Sequence, residues 1–257
     1  MQMTDNTILI TGGGSGIGRA LAEAFHAAGN KVIIAGRRQA PLEATVNANP
    51  GMHYLRLDLE NAAAIQQAAT ALTKDFPQLN AVVHNAGIMR DENLQSGDLE
   101  VAEATISTNL LSPIRLNSAL MPHLLAQPRA TIMTVSSGLA FVPLALTPTY
   151  SATKAAIHSY TQALRYQLKD TAVQVLELIP PYVQTELQGA RQASDPHAMP
   201  LAEFIAETMQ ILENNPDAEE ITVERVMAQR TSERSGNYDA FFKNLNDMMY
   251  ATRGAPQ

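Results

Sequence analysis

The sequence predicts an α/β fold, a doubly wound parallel sheet of six to seven strands with helices on both faces. Two observations predict it. Short β-branched runs alternate with longer helical patterns along most of the chain, which calls for crossover connections and a sheet covered on both sides. The first such run passes straight into a glycine-rich loop and then a helix, the opening of a nucleotide-binding βα unit.

The elements follow in order. Thr7–Thr11 (TILIT) reads as a buried strand, and Gly16 to about Ala28 as a helix. Lys31–Ala35 is a second strand, followed by a helical stretch over Pro41–Asn47. His53–Leu57 is a third strand and Ala62–Asp75 an alanine-rich helix. Leu79–His84 is a fourth strand, and Leu99–Gln127 a long helix in which Pro113 and Pro122 predict a bend or an early end. Thr131–Val135, a helix over Tyr150–Lys169 and a sixth strand over Val173–Leu178 complete the regular part. After Tyr182 the rhythm breaks. A polar stretch from Gln184 to Pro200 precedes a helix over Leu201–Glu213, a short last strand over Ile221–Val223, and one or two helices over Val226–Met249. We therefore expect a single domain over 1–257, with a cofactor-binding and catalytic core over 5–186 and a C-terminal lid or extension over 187–257.

Composition narrows the chemistry. The 257 residues are 46% apolar and 17% charged, as in an ordinary globular protein. With no cysteine, disulfides, thiolate metal sites and cysteine nucleophiles fall away together. A formal charge of −7 argues against broad binding to nucleic acid or an anionic membrane. No signal peptide or 18-residue apolar window is visible, so a cytoplasmic protein is expected. The six histidines show no metal spacing, and no metal is expected. Asp91 and Glu92 are neighbours in sequence, which gives no support to a glycosidase pair.

The loop after the first strand reads Thr11-Gly12-Gly13-Gly14-Ser15-Gly16-Ile17-Gly18. Glycines there let the backbone turn tightly and approach a ligand, while the following helix end offers free N–H groups to a pyrophosphate. The spacing is G-x-x-x-G-x-G and only approximates the common dinucleotide fingerprint. No Lys-Ser/Thr follows, which excludes a P-loop, and Ile17 stands where a hydrolase elbow needs glycine. The second strand ends at Gly36-Arg37-Arg38. NAD-binding folds place a carboxylate at that distance to take the ribose 2′-hydroxyl; a glycine followed by two guanidinium groups favours a 2′-phosphate, and hence NADP over NAD.

Tyr150 and Lys154 lie four apart on one helix face, so an ammonium can stabilise a phenolate and bring the phenol toward the working pH. Ser137 follows the fifth strand, where a hydroxyl reaches the carboxyl-end crevice. Y-x-x-x-K alone is unspecific; its weight comes from standing in order behind the glycine loop.

With these motifs the chain resembles the short-chain dehydrogenase/reductase family in its single-domain form. The resemblance runs over roughly residues 5–186 and includes Thr11–Gly18, Asp58, Asn85-Ala86-Gly87, Asn109, Ser137, Tyr150 and Lys154. It implies a Rossmann sheet and reversible hydride transfer between NAD(P) and a carbonyl or alcohol. It further implies that Tyr150 exchanges the proton, Lys154 lowers the phenol and holds the nicotinamide ribose, Ser137 orients the substrate oxygen, and Asn109 positions a water linking Lys154 to solvent. The implied cofactor contacts are Gly12, Ser15, Gly16, Ile17, Gly18, Arg37, Arg38, Asp58, Leu59, Asn85, Ala86, Gly87, Tyr150, Lys154, Pro180, Val183 and Thr185. The family habit also points to a homodimer or homotetramer.

Two departures stand out. Pro180-Pro181 replaces the usual Pro-Gly after the sixth strand, which stiffens the loop at the nicotinamide end. The usual glycine-rich ending after the last strand is also missing. Both are similar to the branch named for D-alanine esterification of teichoic acids, a name that implies no chemical role here. The apolar loop Gly138–Thr149 offers Leu139, Phe141, Val142 and Leu144 as pocket walls, with Ile88-Met89-Arg90 opposite, and so favours an apolar or amphipathic carbonyl compound. A sensor that binds NADP(H) with little turnover is the alternative from another class, and the retained Ser137, Asn109, Tyr150 and Lys154 weigh against it. An epimerase or dehydratase on a nucleotide sugar would need a larger substrate domain than this tail.

Overall fold

The computed structural model describes residues 1–254. Strands β1 (Thr7–Thr11), β2 (Lys31–Gly36), β3 (His53–Arg56), β4 (Leu79–His84), β5 (Ala130–Val135), β6 (Val173–Ile179) and β7 (Glu220–Thr222) form one sheet. The strand order is 3-2-1-4-5-6-7 and every pairing is parallel. The order reverses between β1 and β4, and there the connections leave in opposite directions and open a crevice at the carboxyl ends of the strands.

Both faces of the sheet are apolar because alternate residues of each strand point to opposite layers. Ile8, Ile10, Val32 and Ile34 pack to one side against Leu21 and Phe25 of α1 (Gly16–Ala27). Leu42 of α2 (Gln39–Ala48) joins the same layer. Leu9, Ile33, Val82 and Ile132 face the other side. Covering them are α3 (Ala62–Asp75), α4 (Glu100–Ile106), α5 (Ser112–Leu125) and α6 (Pro148–Leu168), with Leu72, Leu116, Leu120 and Leu164 as buried contacts. The remaining helices are α7 (Ala190–Ala193), α8 (Leu201–Asn214), α9 (Glu224–Arg230) and α10 (Tyr238–Arg253).

The expected break near the prolines takes another form. Pro113 sits in the first turn of α5, and Pro122 lies within it without ending it. Residue 113 has no N–H to close on residue 109, and the chain widens into a π-helical turn over Ser107–Leu111, closed by Ser112 N–H on the Ser107 carbonyl. This turn carries Asn109.

The C-terminal segment divides in two. Phe204, Thr208 and Leu212 seat α8 in the α1 layer, Ile221 puts β7 beside β6, and Val226 anchors α9; all are buried. By contrast, α10 buries only Asn246 and lies over the apolar loop, where Asn246 Oδ1 accepts from Ala145 N at 2.7 Å and Nδ2 donates to Pro143 O at 3.2 Å. Truncating the fully buried Phe204 to Ala is expected to destabilise the fold by about 3–5 kcal/mol in a denaturant titration, which also detects the alternative, a change under about 1 kcal/mol if the segment packed independently of the sheet.

Candidate active site

A cavity of about 780 Å³ runs along the carboxyl ends of β1, β2, β4, β5 and β6. At one end stands the glycine loop. Gly12 (φ 69°) and Gly16 (φ 52°) take the left-handed conformation, which side chains other than glycine adopt with strain. Ser15 precedes α1 in extended conformation, and no side chain among the described residues caps that helix end. Its N–H groups thus face the cavity beside Gly14, Ser15, Gly16 and Ile17, a fit for a diphosphate. Gly18 stands behind this wall. A Cβ there would lie 2.4 Å from the Gly12 carbonyl oxygen and 2.3 Å from Asn85 Nδ2, so its role is to let α1 close on the loop.

Asn85 locks the switch point. Its Nδ2 donates to Thr11 O at 3.0 Å, and the N–H groups of Asn85 and Ala86 both donate to Thr11 Oγ1 at 3.1 Å. Gly87 follows on the cavity wall, with Asp58 and Leu59 farther toward the open end. Asp58 Oδ1 accepts from Glu60 N at 3.1 Å and shapes that turn. Arg37 and Arg38 line the same end. Arg37 Nη1 meets Glu60 Oε1 at 2.7 Å, with about half of the arginine side chain in solvent. Such a pair is worth about 0–1 kcal/mol and yields readily to a phosphate. On the opposite wall are Pro180, Val183 and Thr185.

At the other end Ser137, Tyr150 and Lys154 converge. β5 delivers Ser137 at its carboxyl end, and α6 presents Tyr150 and Lys154 one turn apart. Lys154 Nζ donates to Val135 O at 2.7 Å and sits 5.4 Å from the Tyr150 ring centre. Burial pulls the amine down to about 8, with Glu177 acting the other way. Burial also pushes the phenol up to about 12, and hydrogen bonding from Ser137 draws it back part of the way. Desolvation dominates the phenol, and the expected lowering by Lys154 does not appear among the influences on it, the amine lying 5.4 Å from the ring centre. Tyr150 therefore stands protonated at neutral pH.

Asn109 lies outside the large cavity. Its Oδ1 accepts from Ile88 N at 2.9 Å, and its Nδ2 donates to Ile88 O at 2.9 Å and Thr153 Oγ1 at 3.3 Å. With Lys154, Ser112 and His84 it borders a second space of about 10 Å³, close to what one water occupies.

Of the expected pocket walls, Leu139, Leu144, Ile88, Met89 and Arg90 line the cavity. Phe141 and Val142 turn away. Val142 is fully buried, while Phe141 lies edge-on to His158 and under Arg230. Leu245, Met248 and Met249 of α10 supply the apolar surface in their place. The sequence also gave no sign of three polar residues that hold the site together. Glu92 accepts from Thr149 N at 3.0 Å and Thr149 Oγ1 at 2.6 Å, fixing the first turn of α6 just before Tyr150. Gln192 donates to Val183 O at 2.8 Å and Thr185 Oγ1 at 3.1 Å. Arg253 pairs with both Asp91 oxygens and donates to Gln188 Oε1 at 3.1 Å across the cavity mouth.

The chain belongs to the short chain dehydrogenase family, whose sequence profile matches residues 6–196. It is 39% identical to the uncharacterized oxidoreductase DltE of Bacillus subtilis (strain 168) over 251 residues, covering 96% of this chain and 98% of that one. An uncharacterized oxidoreductase of Staphylococcus aureus (strain N315) is 30% identical over 195 residues, 75% of this chain and 84% of its own length. Among solved structures, a short chain dehydrogenase/reductase from Burkholderia phymatum in complex with NAD matches with a TM-score of 0.81 at 20% identity, over 93% of this chain and 96% of that one. The closed form of serine dehydrogenase complexed with NADP+ matches with a TM-score of 0.75 at 26% identity, over 84% and 92%. The expected doubly wound Rossmann sheet is the fold observed, with seven strands. No helix among the described residues is long and apolar enough to cross a membrane.

Proposed function

We propose that this protein is an NADP-dependent oxidoreductase that moves a hydride between the nicotinamide and a carbonyl or alcohol substrate. The observation that carries the proposal is the continuity of one cavity from the uncapped end of α1 to the buried Ser137–Tyr150–Lys154 cluster. Solved relatives holding NADP and NAD are consistent with a nicotinamide cofactor but do not discriminate between the two. The preference for NADP rests on Arg37 and Arg38.

In this reading the glycine loop and α1 hold the diphosphate, and Arg37 leaves Glu60 for the 2′-phosphate. Asp58 and Leu59 flank the adenine, while Val183 and Thr185 receive the nicotinamide end. The bound cofactor supplies or accepts the hydride. The chain's residues do the rest. Ser137 donates to the substrate oxygen and fixes its direction. Tyr150, fully protonated when substrate arrives, gives its proton to the oxygen as negative charge develops there. Lys154 holds the nicotinamide ribose and, as an ammonium, opposes the charge left on the phenolate. Asn109, beside the small space next to Lys154, holds a water through which the proton is replaced.

Leu139, Leu144, Leu245, Met248 and Met249 favour an apolar or amphipathic carbonyl compound of small to medium size. We assign the lid role to the 187–200 segment and α10, clasped by Arg253, and treat α8, β7 and α9 as part of the sheet layer of a single domain. The exposed Leu99, Ile106 and Leu111 along α4 and the π turn support a contact between copies, in a homodimer or homotetramer. A cytoplasmic setting belongs to the same proposal.

Fluorescence titration is expected to give NADPH affinity about tenfold or more above NADH, and Arg37→Ala is expected to remove most of that difference; equal affinities in the wild type would exclude the role given to Arg37. In a screen of aldehydes and ketones graded in length and charge, Tyr150→Phe is expected to lower turnover by about a hundredfold or more with NADPH binding intact. A Tyr150→Phe variant of full activity would remove the mechanism. Tight binding with no turnover by the wild type would favour a sensor instead.

A further inference from the structure

Among the described residues, the mechanism leaves one fully buried ionisable side chain without a part. Glu177, on β6, exposes none of its side chain, and a carboxylate so placed is tolerated only with compensating partners. His158 provides the first, with Nδ1 at 2.8 and 3.0 Å from the two carboxylate oxygens. His158 stands one turn beyond Lys154 on α6. Lys154 in turn is tied to Val135 O at 2.7 Å, next to Thr134, the residue of β5 that pairs in register with Glu177. Amine, imidazole and carboxylate therefore share one patch between α6 and the β5–β6 pair.

The groups facing that patch come from β7, α9 and the loop at Phe141, and from α6 and β5 themselves. Glu220 of β7 is the register partner of Glu177, and both its oxygens are taken by Arg230 of α9 at 2.8 Å. Arg165, farther along α6, donates to Val175 O at 3.0 Å and Glu219 O at 2.9 Å. Phe141 closes the patch, its ring 4.7 Å from that of His158 and 4.5 Å from the Arg230 guanidinium. Thr134 contributes a hydroxyl bonded to Thr161 at 2.7 Å and no charge. His158, Glu177 and Glu220 bring their ligand atoms within 4.8 Å, a spacing that would suit a cation. Arg230 pairs with Glu220 and the imidazole hydrogen-bonds Glu177, so those carboxylates already have partners and we do not read the cluster as a metal centre.

We propose that Glu177 is a positioning residue for Lys154, a buried counter-charge that keeps the amine an ammonium where it meets the Tyr150 ring and the nicotinamide ribose. The proposal rests on the reading of Lys154 as part of the catalytic group. Desolvation alone would drive the amine toward its neutral form, and Glu177 is the charge that works against this. Arg230 shares the field of Glu177 and limits it. The network thereby links the C-terminal α9 to the charge state of the active-site amine, a link not visible in the catalytic motif itself.

The test is an NMR titration of lysine side chains labelled with carbon-13 at Cε. The chain has five lysines, and the Lys154 signal is identified by its loss in Lys154→Arg. In wild type the signal is expected to titrate near pH 8. In Glu177→Gln the midpoint is expected to fall by about one unit or more, and the alkaline limb of NADPH-dependent turnover should move with it. Glu177→Asp should bring the midpoint back toward the wild-type value. A Glu177→Gln midpoint equal to wild type, whatever the change in thermal stability, would overturn the proposal and leave Glu177 a purely structural residue. If Glu177→Gln does not fold, Arg230→Gln, at a partly exposed position, removes the competing cation and is expected to raise the midpoint; a fall would overturn the proposal. The titration reads the amine directly, so a wild type without turnover would end the catalytic reading without deciding this one.

Discussion

The amine of Lys154 has been taken out of water, and the site is organised around that constraint. Its only direct hydrogen-bond acceptor among the described residues is the carbonyl of Val135, the last residue of β5. That bond ties α6 to the end of the sheet and sets Tyr150 one turn earlier on the same helix. Glu92 fixes the start of α6 through Thr149. The helix is therefore pinned at both ends of the turn that carries Tyr150 and Lys154, by the Lys154 amine at one end and by the Glu92 carboxylate at the N-terminus. With the amine buried, its charge depends largely on fixed neighbours, and a change of one charge nearby has a large effect.

The same economy shapes the cofactor end. In the proposed reading a protein of net charge −7 receives a phosphate-rich ligand through local means: free N–H groups at α1 and two arginines at the end of β2. Arg37 is held by an exposed ion pair with Glu60, weak enough to exchange for a phosphate.

Much of this was legible in the sequence because local pattern carried it. The strand–loop–helix opening, the arginines after β2 and the Tyr150–Lys154 spacing are short-range signals, and each lies where the pattern predicted. What the pattern missed depends on residues far apart in the chain. Glu92 meets Thr149, Arg253 meets Asp91, and Glu177 meets His158 only because the sheet and α10 bring them together. An acidic residue in a strand gives no sign of its partner until the register is known. Phe141 and Val142 failed as pocket walls for the complementary reason: apolar character does not say which side of a loop faces the cavity, and α10 supplied apolar side chains that compete for that position. The tail behaved as two parts because α8 carries a fully buried stripe and α10 does not.

The central claim is that a desolvated Lys154 must stay charged for Tyr150 to deliver its proton. The pH dependence of carbonyl reduction at saturating NADPH tests it most directly. Burial holds the amine at about 8 and the phenol at about 12, so below pH 8 both groups carry their protons, and above it the amine loses its charge first. The account predicts a rate that falls with one ionisation centred near pH 8 while Tyr150 is still protonated. A rate level up to pH 10 would contradict it.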